Sequence, residues 1–272
     1  EKRKNRKKII LASKVAGPRL DWIRNGENNF NEKNLSKAID GSLKRLKTDY
    51  IDLYQLHWPE RSTNCFGRRE FEINENESEW NNFESILVAL EKFIKKGKIR
   101  YIGMSNETPY GFLKYLELAQ YKNLPRMVSV QNPYSLVNRT YEVGMSEISI
   151  RERCGLLAYY PLAAGALSGK YRGGQMPKNA RMTLFKGWER MINPLAMKAY
   201  DEYYNLAKEY NMTMVQLAQA FVNSRPFVTS NIIGATTMDQ LKENIGSIDK
   251  ELTNEMMEKI NLIHNSNPNP SP

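Results

Sequence analysis

Apolar, β-prone runs alternate with amphipathic helical patterns along most of this sequence. The runs that predict strands lie at residues 9–15, 50–60, 99–105, 127–131, 155–160 and 231–234. The apolar spacing typical of helices falls at residues 31–47, 80–96, 109–121, 141–153, 194–210, 213–223, 238–245 and 254–264. Because a strand, a helix and a second strand in succession form a βαβ unit, the alternation predicts an α/β fold built on parallel strands.

The stretch YIDLYQLHWPE, residues 50–60, predicts a buried strand that ends by placing a histidine in a loop. Proline cannot donate a hydrogen bond to a sheet, so the pair Trp58 and Pro59 ends the strand. His57 therefore follows the strand at its carboxyl end, and the chain has one other histidine, His264. Two interpretations stay open from this stretch alone: a functional histidine, or a structural one packed beside Trp58.

The composition favours a single domain over residues 1–272, because no linker-like change interrupts the chain. A chain of 272 residues with 41% hydrophobic content is long enough to bury one large core. The element order is most of a (β/α)₈ TIM barrel, in which catalytic groups stand at the carboxyl ends of the strands. Residues 61–79 and 161–193 are predicted to be long loops, and residues 265–272 a disordered tail.

The net charge of +10 suggests a nucleic-acid partner, but no recognised binding motif accompanies the scattered Lys and Arg residues. We therefore expect no nucleic-acid partner, and a few of these cations suffice for an anionic dinucleotide. No apolar window reaches the length of a membrane span and no signal peptide is visible, so we expect a cytoplasmic protein without a membrane partner. The isolated cysteines, Cys65 and Cys154, and the isolated histidines predict neither a disulfide framework nor a metal site.

Several segments in order make the sequence resemble the aldo-keto reductase superfamily, and within it the Tas-like branch that is related to potassium-channel β subunits. The matching segments are ILASKV, DLYQLHWP, TNCFG, KGKIRYIGMSNET, VSVQNPYS, AYYPLAAGALSGKY and IIGATTMDQLKENI. The resemblance runs from about residue 8 to residue 264. It implies a (β/α)₈ TIM barrel of the aldo-keto reductase type, which transfers hydride from NADPH to a small aldehyde or ketone.

The resemblance also implies a catalytic set of Asp, Tyr, Lys and His, in which Lys14 matches the lysine and His57 the histidine. In the implied mechanism the lysine lowers the pKa of the tyrosine, and the tyrosine hydroxyl protonates a carbonyl oxygen that the histidine orients. The family's Asp and Tyr precede the lysine strand, and only a short stretch precedes Lys14 here. We therefore expect that this sequence lacks the family's N-terminal segment, with its first βα units and the catalytic Asp and Tyr.

The cofactor residues that the resemblance implies, for NADPH or NADP, are better represented. Ser105, Asn106 and Gln131 match the positions that hold the nicotinamide carboxamide, and Tyr159 matches the tyrosine that stacks on the ring. Tyr160 stands where many members have serine. The loop expected to cover the pyrophosphate provides Leu162, Gly165, Lys170 and Arg181. The expected adenosine site provides Gly234, Thr236, Gln240, Glu243 and Asn244, the pattern of a branch in which the preference for NADPH over NADH is weaker.

Two functions remain open from the sequence. The first is an NADPH-dependent reductase of aldehydes or ketones. The second is a non-catalytic NADPH-binding regulatory subunit, or an inactive remnant of the family, in which cofactor occupancy biases a conformation or a partner interface. The edge strands of an incomplete barrel would also favour association into a homo-oligomer.

Overall fold

The computed structural model of the chain describes residues 5–68, 70–77 and 80–272. Its strands are β1 (Ala12–Val15), β2 (Ile51–Leu56), β3 (Ile99–Ser105), β4 (Met127–Gln131), β5 (Gly155–Ala158) and β6 (Val228–Asn231). Its α-helices are α1 (Glu32–Leu46), α2 (Phe83–Lys95), α3 (Pro109–Tyr121), α4 (Met145–Arg151), α5 (Arg181–Leu184), α6 (Pro194–Glu209), α7 (Met214–Asn223), α8 (Met238–Gly246) and α9 (Asn254–Ser266). The strands pair in parallel, which confirms the predicted α/β class.

The chain divides into two compact units that interleave along the sequence. The first unit comprises the described residues up to Cys65, those from Glu70 to Gln131, and the short segment 152–154. The second unit comprises residues 66–68, 132–151 and 155–272. Residues 69, 78 and 79 of the predicted loop 61–79 lie outside the described residues, as do residues 1–4.

In the first unit, β1, β2, β3 and β4 pair in that order. The register places Lys14 of β1 opposite Gln55 of β2, and Ser105 of β3 opposite Gln131 of β4. Every residue of β2 is buried, as expected of a strand that is covered on both faces. Because the strands are parallel, their carboxyl ends lie at one edge, and the polar residues that end them collect there.

The helices of the first unit begin where local chemistry favours it. The side chain of Asn31 accepts a hydrogen bond from the backbone N–H of Asn34 at 2.9 Å, which caps α1, and Pro109 opens α3. The apolar side chains Leu35 and Ile39 of α1 are fully buried. In the described part of the chain, no helix combines the length and the hydropathy that a bilayer crossing requires.

In the second unit, β5 pairs with β6, with Leu157 opposite Ser230. β6 lies earlier in the chain than the predicted strand 231–234. The apolar pair Ile232 and Ile233, which suggested the strand, follows the paired residues, and only one further hydrogen bond, from Ile232 N–H to the carbonyl of Ala158 at 2.8 Å, extends them.

Two segments of the second unit differ from their predictions: one predicted helix is interrupted, and one predicted loop contains helical turns. The helix predicted over residues 141–153 divides into a 3₁₀ turn at Thr140–Glu142 and α4, because Gly144 between them has a φ of 103°. The loop predicted over residues 161–193 contains α5 and several 3₁₀ turns. Both differences arise at glycines or short turns, where apolar periodicity carries little information.

The segment predicted to be a disordered tail, residues 265–272, packs against other residues of the second unit instead. α9 continues to Ser266, and the backbone N–H of Ser271 donates to the carbonyl of Val137 at 3.1 Å. Asn267 and Ser271 are only 3% and 2% exposed. The composition of this segment is polar and rich in proline, but the Asn267 amide nitrogen, the Asn269 side-chain oxygen and the Ser271 hydroxyl find hydrogen-bond partners, which composition alone does not show.

A buried ion pair joins the loop after β2 to the start of α3. Arg61 Nη1 donates to Glu107 Oε2 at 3.2 Å, and Arg61 Nη2 donates to Thr108 Oγ1 at 3.0 Å. Arg61 is 9% exposed and Glu107 is 5% exposed. Burial opposes the charge of Arg61, but the Glu107 carboxylate holds the pKa of Arg61 above its ordinary value. Gly111 leaves room for this pair, since a Cβ there would overlap the carboxylate.

We expect Glu107→Ala to lower the free energy of unfolding by about 3 kcal/mol or more, because it leaves the Arg61 guanidinium buried and unpaired. Urea unfolding of the purified chain measures this difference. The matched control is Glu147→Ala, which removes an exposed i,i+4 pair with Arg151 and should cost about 0.5 kcal/mol or less. Equal losses in the two variants would show that the buried pair does not hold this loop.

Candidate active site

The carboxyl ends of β2, β3 and β4 are held together by a small hydrogen-bond network in the first unit. Asn106 Nδ2 donates to the carbonyl of His57 at 2.9 Å and to Ser105 Oγ at 3.2 Å. The carbonyl of Gln131 accepts from Ser105 Oγ at 2.7 Å and from the backbone N–H of Asn106 at 3.0 Å. The structure therefore brings together four residues that the sequence analysis predicted for the site.

Asn106 makes this network possible through its backbone conformation. Its φ is 52°, in the left-handed region that asparagine enters more readily than most residues. The turn it makes directs its N–H toward β4 and its side chain toward the end of β2. Ser105 is 2% exposed and Asn106 is 6% exposed, so water competes little for these bonds.

His57 lies where the sequence predicted, directly after β2, and its backbone N–H donates to the carbonyl of Val15 at 3.1 Å. Its imidazole packs against Trp58, with ring centroids 4.6 Å apart and planes at 45°. Burial, and secondly the positive charge of Lys14, lower the pKa of His57 to about 4. The ring is therefore neutral near pH 7 and can donate one N–H bond while its other nitrogen accepts.

Lys14 stands on β1 beside the histidine strand and is half-buried. Burial lowers its pKa, and among the described residues no carboxylate forms an ion pair with its ammonium. Its Cα partner across the sheet is Gln55. Lys14 thus brings a positive charge close to His57, as the influence of Lys14 on the histidine pKa indicates.

In the second unit, Tyr159 follows β5 and packs edge-on against Tyr160, with ring centroids 4.7 Å apart. The ring of Tyr160 in turn packs edge-on against the ring of Trp188, with ring centroids 5.8 Å apart. Tyr160 has a φ of 59°, an unusual conformation for a bulky residue. The predicted stacking residue Tyr159 is therefore one member of an aromatic group, and Trp188 was not anticipated from the sequence because no periodic pattern marks it.

The predicted pyrophosphate loop contains a close approach between a glycine and a lysine. Gly165 has a φ of 98°, and a Cβ there would lie 3.0 Å from both Cε and Nζ of Lys170. Burial, and secondly the positive charge of Arg181, lower the pKa of Lys170. No carboxylate among the described residues pairs with either cation. Leu162 precedes this turn, and its carbonyl accepts from the N–H of Gly165 at 2.8 Å.

The predicted adenosine residues at the start of α8 are partly used in capping. Gln240 Oε1 accepts from the backbone N–H of Thr236 at 2.9 Å, and Thr237 Oγ1 accepts from the backbone N–H of Gln240 at 3.3 Å. Gly234 is exposed, with open space where a Cβ would be. The carboxamide of Gln240 therefore fixes the turn that leads into the helix.

The last two predicted residues lie further along α8. Glu243 Oε1 accepts from Thr213 Oγ1 at 2.7 Å. Asn244 is 7% exposed; its Oδ1 accepts from Gln219 at 3.1 Å and its Nδ2 donates to the carbonyl of Gly234 at 3.3 Å. Both ends of the Asn244 carboxamide are thus held inside the second unit. The sequence alone offered no sign of the partner Gln219.

Residues 1–265 match the model of the Aldo/keto reductase family. The chain belongs to this family. The membership makes it an oxidoreductase, as the resemblance implied. The match begins at residue 1 and so gives no support to the prediction that the family's first βα units and N-terminal segment are missing.

Three curated relatives show which part of the family this chain is most similar to. It is 44% identical to Protein tas of Escherichia coli strain K12, over 98% of this chain and 78% of that protein. It is 39% identical to an aldo-keto reductase of Babesia bovis, over 94% of this chain and 96% of that protein. It is 27% identical to a probable voltage-gated potassium channel subunit beta of Oryza sativa subsp. japonica, over 93% of this chain and 74% of that protein. These relatives support the predicted branch.

Proton titration by NMR should give His57 a midpoint of about 4, because burial and Lys14 disfavour the imidazolium. The folded pKa lies below the ordinary 6.5, so the contribution of this group to stability is present above pH 6.5 and is lost as the pH falls toward 4. The variant His264→Gln removes the second histidine signal and so assigns the first. A midpoint near 6.5 would mean that the ring is solvated and far from the ammonium.

Proposed function

We propose that this aldo/keto reductase is an NADPH-dependent reductase of small aldehydes or ketones in which Lys14 and His57 act at the carbonyl group. The observation that carries the proposal is the network of the first unit, which ties His57 to the predicted carboxamide-binding residues on β3 and β4. A site for carbonyl chemistry beside a nicotinamide needs these two kinds of residue close together.

The polar groups at the ends of β3 and β4 suit a nicotinamide carboxamide, which needs both donors and acceptors. Ser105, Asn106 and Gln131 offer hydroxyl and amide groups there. Hydrogen bonds between Ser105 and Asn106, and from them to the backbone carbonyls of Gln131 and His57, fix the orientation of Ser105 and Asn106 before any ligand binds. Such preorganisation lowers the entropy cost of binding. In the second unit, Tyr159 provides an aromatic face of the kind that stacks on a flat heterocycle.

The charge of Lys170 and Arg181 suits the pyrophosphate of a dinucleotide. The two cations influence one another and have no carboxylate partner among the described residues. Like charges left close together favour an anion that neutralises both. The left-handed turn at Gly165 also suits a close approach of backbone to phosphate, since glycine adds no side chain there.

At the carbonyl end, NADPH supplies the hydride when it is bound. The neutral His57 ring donates an N–H bond to the carbonyl oxygen and so orients and polarises it. The Lys14 ammonium adds a positive charge that favours the developing negative charge on the same oxygen. The alkoxide oxygen left by hydride transfer takes up a proton from solvent to complete the alcohol.

Fluorescence titration of the whole chain with NADPH tests the cofactor residues. Lys170→Ala and Arg181→Ala should each weaken binding about tenfold, which corresponds to about 1.4 kcal/mol for a lost phosphate contact. The matched control is Lys178→Ala, an exposed lysine of the same loop, whose removal should leave the affinity within about twofold. Absence of NADPH binding by the unaltered chain would overturn the proposal.

Turnover is measured as NADPH consumption with a panel of aldehydes and ketones. Lys14→Met and His57→Asn should each lower kcat/KM at least about a hundredfold, the scale of lost acid–base and electrostatic assistance, and leave the Kd for NADPH nearly unchanged. Tight NADPH binding without turnover on any carbonyl compound would favour the alternative, a cofactor-binding regulatory subunit.

A further inference from the structure

Beneath the predicted catalytic edge, the first unit contains buried polar groups that the proposed reaction does not use. Gln55 is 1% exposed, and neither its Oε1 nor its Nε2 has a hydrogen-bond partner among the described residues. Ser129 is 7% exposed, and its Oγ is likewise without a partner there. Each buried polar group without a partner costs about 1–3 kcal/mol, so three in one place need an explanation.

These groups lie side by side across the strands. The register places Lys14 opposite Gln55, and Gln55 opposite Gly103. A Cβ at Gly103 would lie 2.8 Å from Ser129 Oγ and 3.3 Å from Gln55 Cγ. The side chains of Gln55 on β2 and Ser129 on β4 therefore occupy the space beside this glycine from the two neighbouring strands. Lys14, Gln55, Gly103 and Ser129 thus form a row across β1, β2, β3 and β4.

The alternation of side chains puts Lys14 and Gln55 on the same face of the strands. Ser13, beside Lys14, bonds to Ser42 of α1 at 3.3 Å and so faces the helix layer. The register places Tyr54, beside Gln55, opposite Ser13, so the two side chains face the same way. Lys14 and Gln55 therefore face away from α1, on strands spaced about 4.8 Å apart, within reach of each other's side chains.

We propose that Gln55 is a positioning residue for Lys14, linked to it and to Ser129 by a buried hydrogen-bonded row. The Lys14 ammonium donates to a buried water that in turn donates to Gln55 Oε1, and Gln55 Nε2 donates to a second buried water that donates to Ser129 Oγ, since buried waters commonly satisfy such groups. The Lys14 ammonium can only donate and the carboxamide oxygen can only accept, so the hydrogen bonds of the row run from Lys14 toward Ser129.

The row explains two features that packing alone leaves unexplained. Gly103 has to lack a side chain, because any Cβ there would separate Gln55 from Ser129. Lys14 also needs an acceptor, since no carboxylate among the described residues pairs with it. His57, one layer nearer the carboxyl ends, is a titratable group placed near Lys14, while α1 presents Ser42 to the other face of β1.

NMR of the whole chain with ¹³C-labelled lysine tests this without any assay of activity. The Lys14 signal is identified by its absence from Lys14→Arg, and its titration is compared among variants. Gln55→Glu should raise the Lys14 midpoint by about one pH unit, because a carboxylate favours the neighbouring ammonium. Gln55→Met, which keeps the volume but removes the acceptor, should lower it by about half a unit.

Two controls keep the result interpretable. Gln120→Glu makes the same chemical change on the exposed surface of α3 and should leave the Lys14 titration unchanged. Circular dichroism confirms that each variant folds, and if Gln55→Glu does not fold, the shift in Gln55→Met decides. A Lys14 midpoint that is the same in the unaltered chain and in every folded Gln55 variant overturns the proposal.

The catalytic consequence rests on the proposed function and is measured separately. Gln55→Met should lower kcat about tenfold and leave the Kd for NADPH unchanged, because it disturbs the lysine and not the nucleotide residues. A shifted Lys14 titration in a chain without turnover would refute the proposed reaction and leave the row standing. Turnover with an unshifted titration would refute the row alone.

Discussion

The ends of three strands depend on the left-handed turn at Asn106. With a φ of 52°, this residue directs its backbone N–H to β4 and its carboxamide to the carbonyl of His57. An extended residue at this point would carry the side chain away from β2, and the histidine carbonyl would lose its donor. The left-handed conformation of Asn106 therefore holds His57 and the hydroxyl of Ser105, which is predicted to bind the carboxamide, in fixed relative positions.

Much of this arrangement was predictable because, in a parallel sheet, the place of a residue along its strand determines which edge of the sheet it lies at. Once β2, β3 and β4 are recognised as parallel, the residues that end them must meet at one edge, and His57, Ser105 and Gln131 do so. The strand β3 matched its predicted limits because Gly97 marks the end of the preceding helix and the polar pair Ser105 and Asn106 marks the end of the β-prone run. The helix α1 was likewise marked by its apolar spacing and by the capping residue Asn31.

What was missed depends on contacts between residues far apart in the sequence. The burial of Ser271 needs Val137, and the interior role of Asn244 needs Gln219, and neither partner is signalled locally. The row through Gln55 is of the same kind, since it is defined by strand register and by the missing side chain of Gly103. The broken helix at Gly144 differs, because a glycine inside a helical pattern is a visible warning.

The interleaving of the two units affects how the polypeptide can be divided. The first unit includes residues 152–154, which lie within the stretch that otherwise builds the second, and the second unit includes residues 66–68, within the stretch that builds the first. A cut at any single peptide bond between residues 65 and 155 therefore splits at least one unit. During synthesis on the ribosome, the first unit lacks its last segment until residue 154 has emerged, when much of the second has yet to be made.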